Sequence, residues 1–231
     1  MNEQLKLMRS KLKKLPKLYE LLFPHWKLNM GESIRIRFLP DGNKNNTLFW
    51  TERQTFSLDF EFRGEKIVVQ VPCMEMYGQN CLIQDYLIEN YDRYDPEIRR
   101  FWRKRCYFLQ GIINGTEETR VFKLDPYLFS VIKDLILDED NDVNPVDYDS
   151  GLDFILTNVD SSKYEGLSHW HDKRTRIDRS IIKNVYNLDD FLPKMPSEEL
   201  HMLHFQLFLD SIDGVGFDMD KYKNIKYTRV M

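Results

Sequence analysis

Residues 99–108 read Arg99-Arg100-Phe101-Trp102-Arg103-Lys104-Arg105-Cys106-Tyr107-Phe108, five cations interleaved with four aromatic rings. An unpaired nucleic-acid strand offers two things to grip, a line of phosphates and a row of open base faces. Cations meet the first and release its counterions, while flat rings stack on the second at ~1–3 kcal/mol per base. Duplex DNA hides its base faces, so this composition favours single strands. The stretch Lys163-Tyr164 to His169-Trp170-His171-Asp172-Lys173-Arg174 repeats the mixture. Arg35 and Arg37 alternate with Ile34, Ile36 and Phe38, which places two cations on one face of a predicted strand. Each block read alone is also compatible with a solvated face or with core aromatics.

Enzyme signatures are missing from the sequence. It contains no phosphate-binding G-x-x-x-x-G-K-[ST] loop, no G-x-S-x-G elbow and no H-E-x-x-H helix. Asp138, Asp140 and Asp142 are spaced like the start of a calcium loop. Val143, however, stands where such a loop needs glycine for its bend. His169 and His171 flank Trp170 without a third ligand at a recognisable spacing, and His201 and His204 read as structural. Cys73 and Cys81 lie far apart with no C-x-x-C motif, so spacing alone reads them as buried free thiols. The sequence therefore predicts no catalytic residues and no cofactor. The rival readings are a metal-dependent nuclease using Asp213, Asp218 and Asp220, and a protein–protein interaction module docking through its basic helix.

The elements that must carry these residues follow from periodicity. Of 231 residues, 42% are hydrophobic and 30% charged, which fits a soluble folded chain. The net charge of −4 argues mildly against a polyanionic partner, but the charge is uneven. Residues 1–38 hold nine cations against three acids, and acids collect at 138–149. Residues 3–23 read as a basic amphipathic helix broken at Pro16. Strands are predicted at 33–40, 48–58, 66–71, 106–113, 119–124 and 152–159, with an Asn114-Gly115 hairpin turn. Helices are predicted over 81–105, with a break at Asp95-Pro96, over 126–137 and over 197–211. The stretch 160–180 reads as a loop or flap. Short strands without regular βαβ units imply a mainly β chain with helical additions (α+β), built on a β-barrel. Three cysteines and no long apolar run point to the cytoplasm.

Several of these segments resemble one known family. Trp26-Lys27-Leu28, Gly31 and Ile36-Arg37-Phe38-Leu39-Pro40 are similar to the start of the core in gene-32-type single-stranded DNA-binding proteins of T-even-like bacteriophages. Arg103-Lys104-Arg105 with Gly111-Ile112, Val121-Phe122-Lys123, and Asn144-Pro145-Val146-Asp147 through Gly151, Asp153-Phe154 and Leu156 follow in the family's order, with Tyr164 after them. The resemblance runs over roughly residues 26–170. It implies an OB-type barrel over 26–195 with residues 60–100 inserted as a small degenerate zinc-type subdomain. A basic arm over 1–25 would touch neighbouring subunits, and a C-terminal helix and tail would occupy 196–231. It implies cooperative coating of single-stranded DNA in phage replication, recombination and repair, in the cytoplasm of an infected bacterium, alongside phage replication proteins. Arg37, Arg103, Lys104, Arg105 and Lys123 would meet phosphates, and Phe108, Tyr164, Trp102 and Tyr107 would stack on bases. The composition of the strand face and of the 163–174 stretch adds Arg35, Lys173 and Arg174 to the phosphate contacts and Trp170 to the stacking rings. Cys73 and Cys81 would be remnants of the family's zinc site, since Gln84 stands where a further cysteine is expected. The family's acidic tail has no counterpart in the basic residues Lys221 to Met231.

Overall fold

The computed structural model describes residues 28–158, 168–181, 184–190, 192–223, 225 and 228–230. The predicted helix over 3–23 and the expected stacking residue Tyr164 lie outside them. The described chain is α+β, with eight strands and three α-helices. The strands are β1 (Ser33–Leu39), β2 (Trp50–Phe62), β3 (Glu65–Pro72), β4 (Lys104–Ile113), β5 (Thr119–Leu124), β6 (Leu152–Thr157), β7 (His169–Arg174) and β8 (Thr228–Val230). The helices are α1 (Leu82–Asn90), α2 (Pro126–Leu137) and α3 (Glu198–Ile212). The chain forms two compact units. One is built from the chain up to Thr51 and from Tyr107 to Phe191, the other from Glu52–Cys106 and from Leu192 onward.

In the first unit the antiparallel order is β7-β6-β1-β4, with β5 also on β4. Among the described residues these pairings leave the sheet open, so the expected closed barrel is not formed by them. Alternation along β1 sends Ile36 and Phe38, both 0% exposed, into a core with Leu109, Phe122, Leu124 and Phe154. Helix α2 covers that core with Phe129 and Ile132. Its start is set by Asp125, whose carboxylate accepts from the Leu128 N–H at 2.8 Å, and by Pro126 in the first turn.

The opposite sheet face is not the open cationic surface that the alternation predicts. Gln110 donates to the carbonyls of Pro40 and Tyr186 (2.9 and 2.7 Å) and accepts the Tyr186 N–H (2.8 Å). Thr119 donates to the Asn184 carbonyl at 2.6 Å. The segment around 184–190 is thereby held across this face, and it comes so close that a side chain at Gly42 would collide with the Tyr186 backbone. A covering strap of this kind has no periodicity to reveal it in the sequence. A second correction concerns residues 169–174, read as loop or flap, which form β7 by pairing Phe154 with Trp170 and Leu152 with Arg174 across a bulge.

The second unit begins with the hairpin β2–β3, in register from Thr55↔Pro72 to Phe62↔Glu65. Its two-residue turn has positive φ at both Arg63 (52°) and Gly64 (78°), the geometry that suits the right-handed twist of hairpins. Phe56, Leu58 and Phe60 meet Ile67, Val69 and Val71 in a core closed by Ile83 and Leu87 of α1 and Leu207 and Phe208 of α3. Ser197 caps α3 by accepting the Leu200 N–H at 3.3 Å. The helix expected over 81–105 stops at Asn90. The Asp92 and Asp95 side chains capture the N–H groups of Tyr94 and Glu97, each at 2.9 Å, and so stabilise turns instead of helix. A 3-10 turn at Arg99–Phe101 then leads into β4. Among the described residues no helix is long and apolar enough to cross a membrane.

Candidate nucleic-acid interface

The sequence offers three sets of cations, and the structure treats them differently. In the first unit, Arg37 is only 5% exposed. Its Nε donates to Asp153 Oδ1 at 2.8 Å, and its Nη2 donates to the carbonyls of Gly151 (3.1 Å) and Thr175 (2.9 Å) and to the Thr175 hydroxyl. Nη1 reaches the Asp147 carbonyl at 3.4 Å. Register makes this possible, because Arg37 stands directly across from Asp153. A buried guanidinium with its donors taken is a structural ion, since an unpaired charge there would be strongly unfavourable. The assignment of Arg37 to a phosphate is thereby corrected. Arg35, half-buried, donates its Nε to the other oxygen of the same carboxylate at 2.5 Å.

The second set follows on β7 and beyond it. Arg174 pairs with Asp142 at 2.5 Å, and Arg176 and Arg179 share Asp149 at 3.2 and 3.4 Å. The Arg179 guanidinium also lies over the Tyr148 ring at 4.8 Å. The acidic stretch at 138–149 thus lies against the basic stretch at 174–179. Lys173, and Lys123 on β5, are exposed.

The third set is the block at 99–105 in the second unit, where Arg99, Arg100, Arg103, Lys104 and Arg105 are all exposed. Arg103 pairs with Glu75, and Arg105 pairs with Glu52 at 3.1 Å. Arg100 lies 4.6 Å over the Phe101 ring. Among the described residues Arg99, Arg100 and Lys104 have no carboxylate partner.

The rings expected to stack on bases are mostly used in packing. Tyr107 lies parallel to Phe129 at 3.7 Å and 8°. Phe108, on the opposite face of β4, is 8% exposed. Trp170 meets Phe38 and Phe154 edge-on at 6.0 and 5.1 Å, and its Nε1 donates to the Val131 carbonyl. The assignments of Tyr107 and Phe108 are corrected, since a ring sealed into a core has no free face, whereas Trp170 is half-buried with its ring edges packed on that core. Trp102 is half-buried against the second core, with its Nε1 buried and unpartnered among the described residues. The ring that sequence reasoning missed is Tyr94, 85% exposed, between Arg93 and the 99–105 block. The signal was present in the turn-forming Asp92 and Asp95-Pro96, which lift this segment off the helix that the apolar pattern suggested.

Among the described residues no group of three or more His, Cys, Asp or Glu side chains is placed to hold a metal ion. Asp218 Oδ1 instead accepts the N–H groups of Asp220 and Lys221 as a turn cap (2.9 and 3.0 Å). Cys73 and Cys81 are free thiols, 0% and 1% exposed. Among the described residues the buried Gln84 carbonyl oxygen, His201 Nε2 and His204 Nδ1 have no hydrogen-bond partner. Burial, reinforced by the neighbouring His201, pushes the His204 pKa down to about 4. No protein-family model matches the chain, and no curated protein matches it either.

Proposed function

We propose that this protein binds single-stranded DNA without sequence preference and performs no catalytic step. The observation that carries the reading is the run at 99–105. It holds five exposed cations in seven residues with no acid among them, five positions after a tyrosine that is 85% exposed. Cations of this kind neutralise phosphates, and an exposed ring supplies a stacking face that any base can use. Arg99, Arg100 and Lys104 are the phosphate contacts, flanked by the paired Arg103 and Arg105, and Tyr94 is the stacking residue.

The finer architecture belongs to the same reading: an OB-type core with residues 60–100 inserted as a zinc-type subdomain that holds no metal. The role is to coat and protect single strands cooperatively during phage replication, recombination and repair, in the cytoplasm of an infected bacterium. Its partners are the strand, neighbouring copies of itself and phage replication proteins. Titration of intrinsic fluorescence with an oligothymidine and with a duplex of equal length tests it. The single strand should bind more tightly, and its binding should weaken steeply with salt. Equal affinity for both, or indifference to salt, would overturn the proposal.

A further inference from the structure

In the second unit the hairpin β2–β3, Arg100 and the turn that ends α3 line a cleft of about 440 Å³. That lies within the roughly 300–1,000 Å³ typical of small-ligand sites. Its walls are held together by hydrogen bonds to the backbone of β2. The Ser211 hydroxyl donates to the Asp59 carbonyl at 3.0 Å, and the Phe217 N–H donates to the Glu61 carbonyl at 3.2 Å. Phe60, packed on Phe217 with ring centroids 5.3 Å apart, gives the cleft an apolar wall. Gly64 and Gly214 line it with bare backbone, since a Cβ added at either would meet nothing within 4 Å.

The charges in this cleft are not all spent. Asp59, Glu61 and Lys66 share the outer face of the hairpin, with Glu61 directly across from Lys66. Lys66 nonetheless pairs with Asp59, at 2.9 Å. Among the described residues the exposed Glu61 carboxylate has no side-chain partner, and the Arg100 guanidinium has no carboxylate partner. One unpaired anion and one unpaired cation therefore line the same cleft without meeting each other.

We propose that this cleft receives one base of the bound strand and prefers guanine. The inference rests on the single-strand reading, in which Arg100 is a phosphate contact. A strand held by Arg100 runs past the cleft, and one nucleotide can turn its base inward while its phosphate stays on the guanidinium. The Glu61 carboxylate can only accept hydrogen bonds. Guanine offers it two adjacent donors, N1–H and the N2 amino group, one for each oxygen. Adenine and cytosine offer an amino group beside a ring-nitrogen acceptor, and thymine offers one N–H between two carbonyls. Each of these three sets a lone pair against the carboxylate. The preference is confined to one nucleotide and overlies phosphate contacts that read no sequence.

The test is a set of fluorescence titrations of the full-length protein with a short oligothymidine and with the same strand carrying one central guanine, adenine or cytosine. The guanine strand should bind about fivefold more tightly than the all-thymine strand, the low end of discrimination by a bidentate base contact, and the other two should gain less. Glu61→Gln should bring the guanine-to-thymine ratio close to one, because the amide puts donors where an accepting oxygen stood. Arg100→Ala should weaken all four strands alike. If oligothymidine binds more tightly than duplex but guanine adds nothing, or its gain survives Glu61→Gln, the cleft assignment is overturned and the single-strand reading stands. Oligothymidine binding no tighter than duplex would overturn both.

Discussion

The two units bury and expose charge in opposite ways. The first takes Arg37 into its interior with a full set of acceptors and ties Arg174, Arg176 and Arg179 to Asp142 and Asp149. The second keeps the five cations of the 99–105 block on its surface, with Arg103 and Arg105 paired to Glu75 and Glu52 and, among the described residues, Arg99, Arg100 and Lys104 without a carboxylate partner. It leaves buried polar atoms of His201, His204 and Gln84 unpartnered among the described residues. The same residue type therefore means different things in the two places. An arginine whose donors are spent on carboxylates and carbonyls holds the chain together, whereas one facing solvent is available to a phosphate. Basic composition alone does not separate the two, but pairing does.

Removing the buried cation is the most severe way to probe this contrast. Arg37→Ala leaves Asp153 buried without its main partner and should destabilise the first unit by about 3–5 kcal/mol in urea unfolding. A loss below about 0.5 kcal/mol, the range of an ordinary surface substitution, would mean that Arg37 is not a structural ion. The second unit should fail differently, through acid. His204 titrates near 4 when folded and near 6.5 when unfolded, so the unfolded chain takes up its proton first as pH falls. The contribution is complete above 6.5, erodes as pH falls toward 4, and amounts to at most about 3 kcal/mol at one pKa unit per ~1.4 kcal/mol. His204→Gln should flatten that part of the stability profile, and an unchanged slope would reassign the acid sensitivity to other groups. Smaller still is the effect of Tyr94→Ala. It should cost about 1–3 kcal/mol of single-strand affinity with unfolding unchanged, while Trp170→Ala should lower stability first. Equal affinity for the Tyr94 variant and the parent would remove that ring from the interface.

Much of the scaffold is legible in the residues. The alternation at Ile34, Ile36 and Phe38, the Asn114-Gly115 turn, the Pro126 start and the Ser197 cap each carry a local rule, and the corresponding elements form within a residue or two. The site was harder to read, because availability is a tertiary property. Arg37 sits on the outward side of an alternating strand, and only Thr175 just past β7, the segment at Tyr186, and Asp153 on a strand far along the chain show that this side is closed. Tyr107, Phe108 and the half-buried Trp170 have the composition of stacking residues and the packing of core residues, a distinction set by partners distant in sequence such as Phe129 and Phe38. Tyr94 went unread because an apolar pattern over 81–105 masked the competing turns at Asp92 and Asp95.

The contrast between spent and available cations is tested most directly by salt dependence. Oligothymidine binding should be measured across a series of salt concentrations for the wild type, for Arg99→Ala/Arg100→Ala/Lys104→Ala and for Arg174→Ala/Arg176→Ala/Arg179→Ala. Each phosphate contact contributes ~0.7 to the log–log slope on single strands, so the first triple variant should lose about 2 from it and the second little. The reverse pattern, or equal losses from both, would contradict the assignment of binding to the exposed block at 99–105.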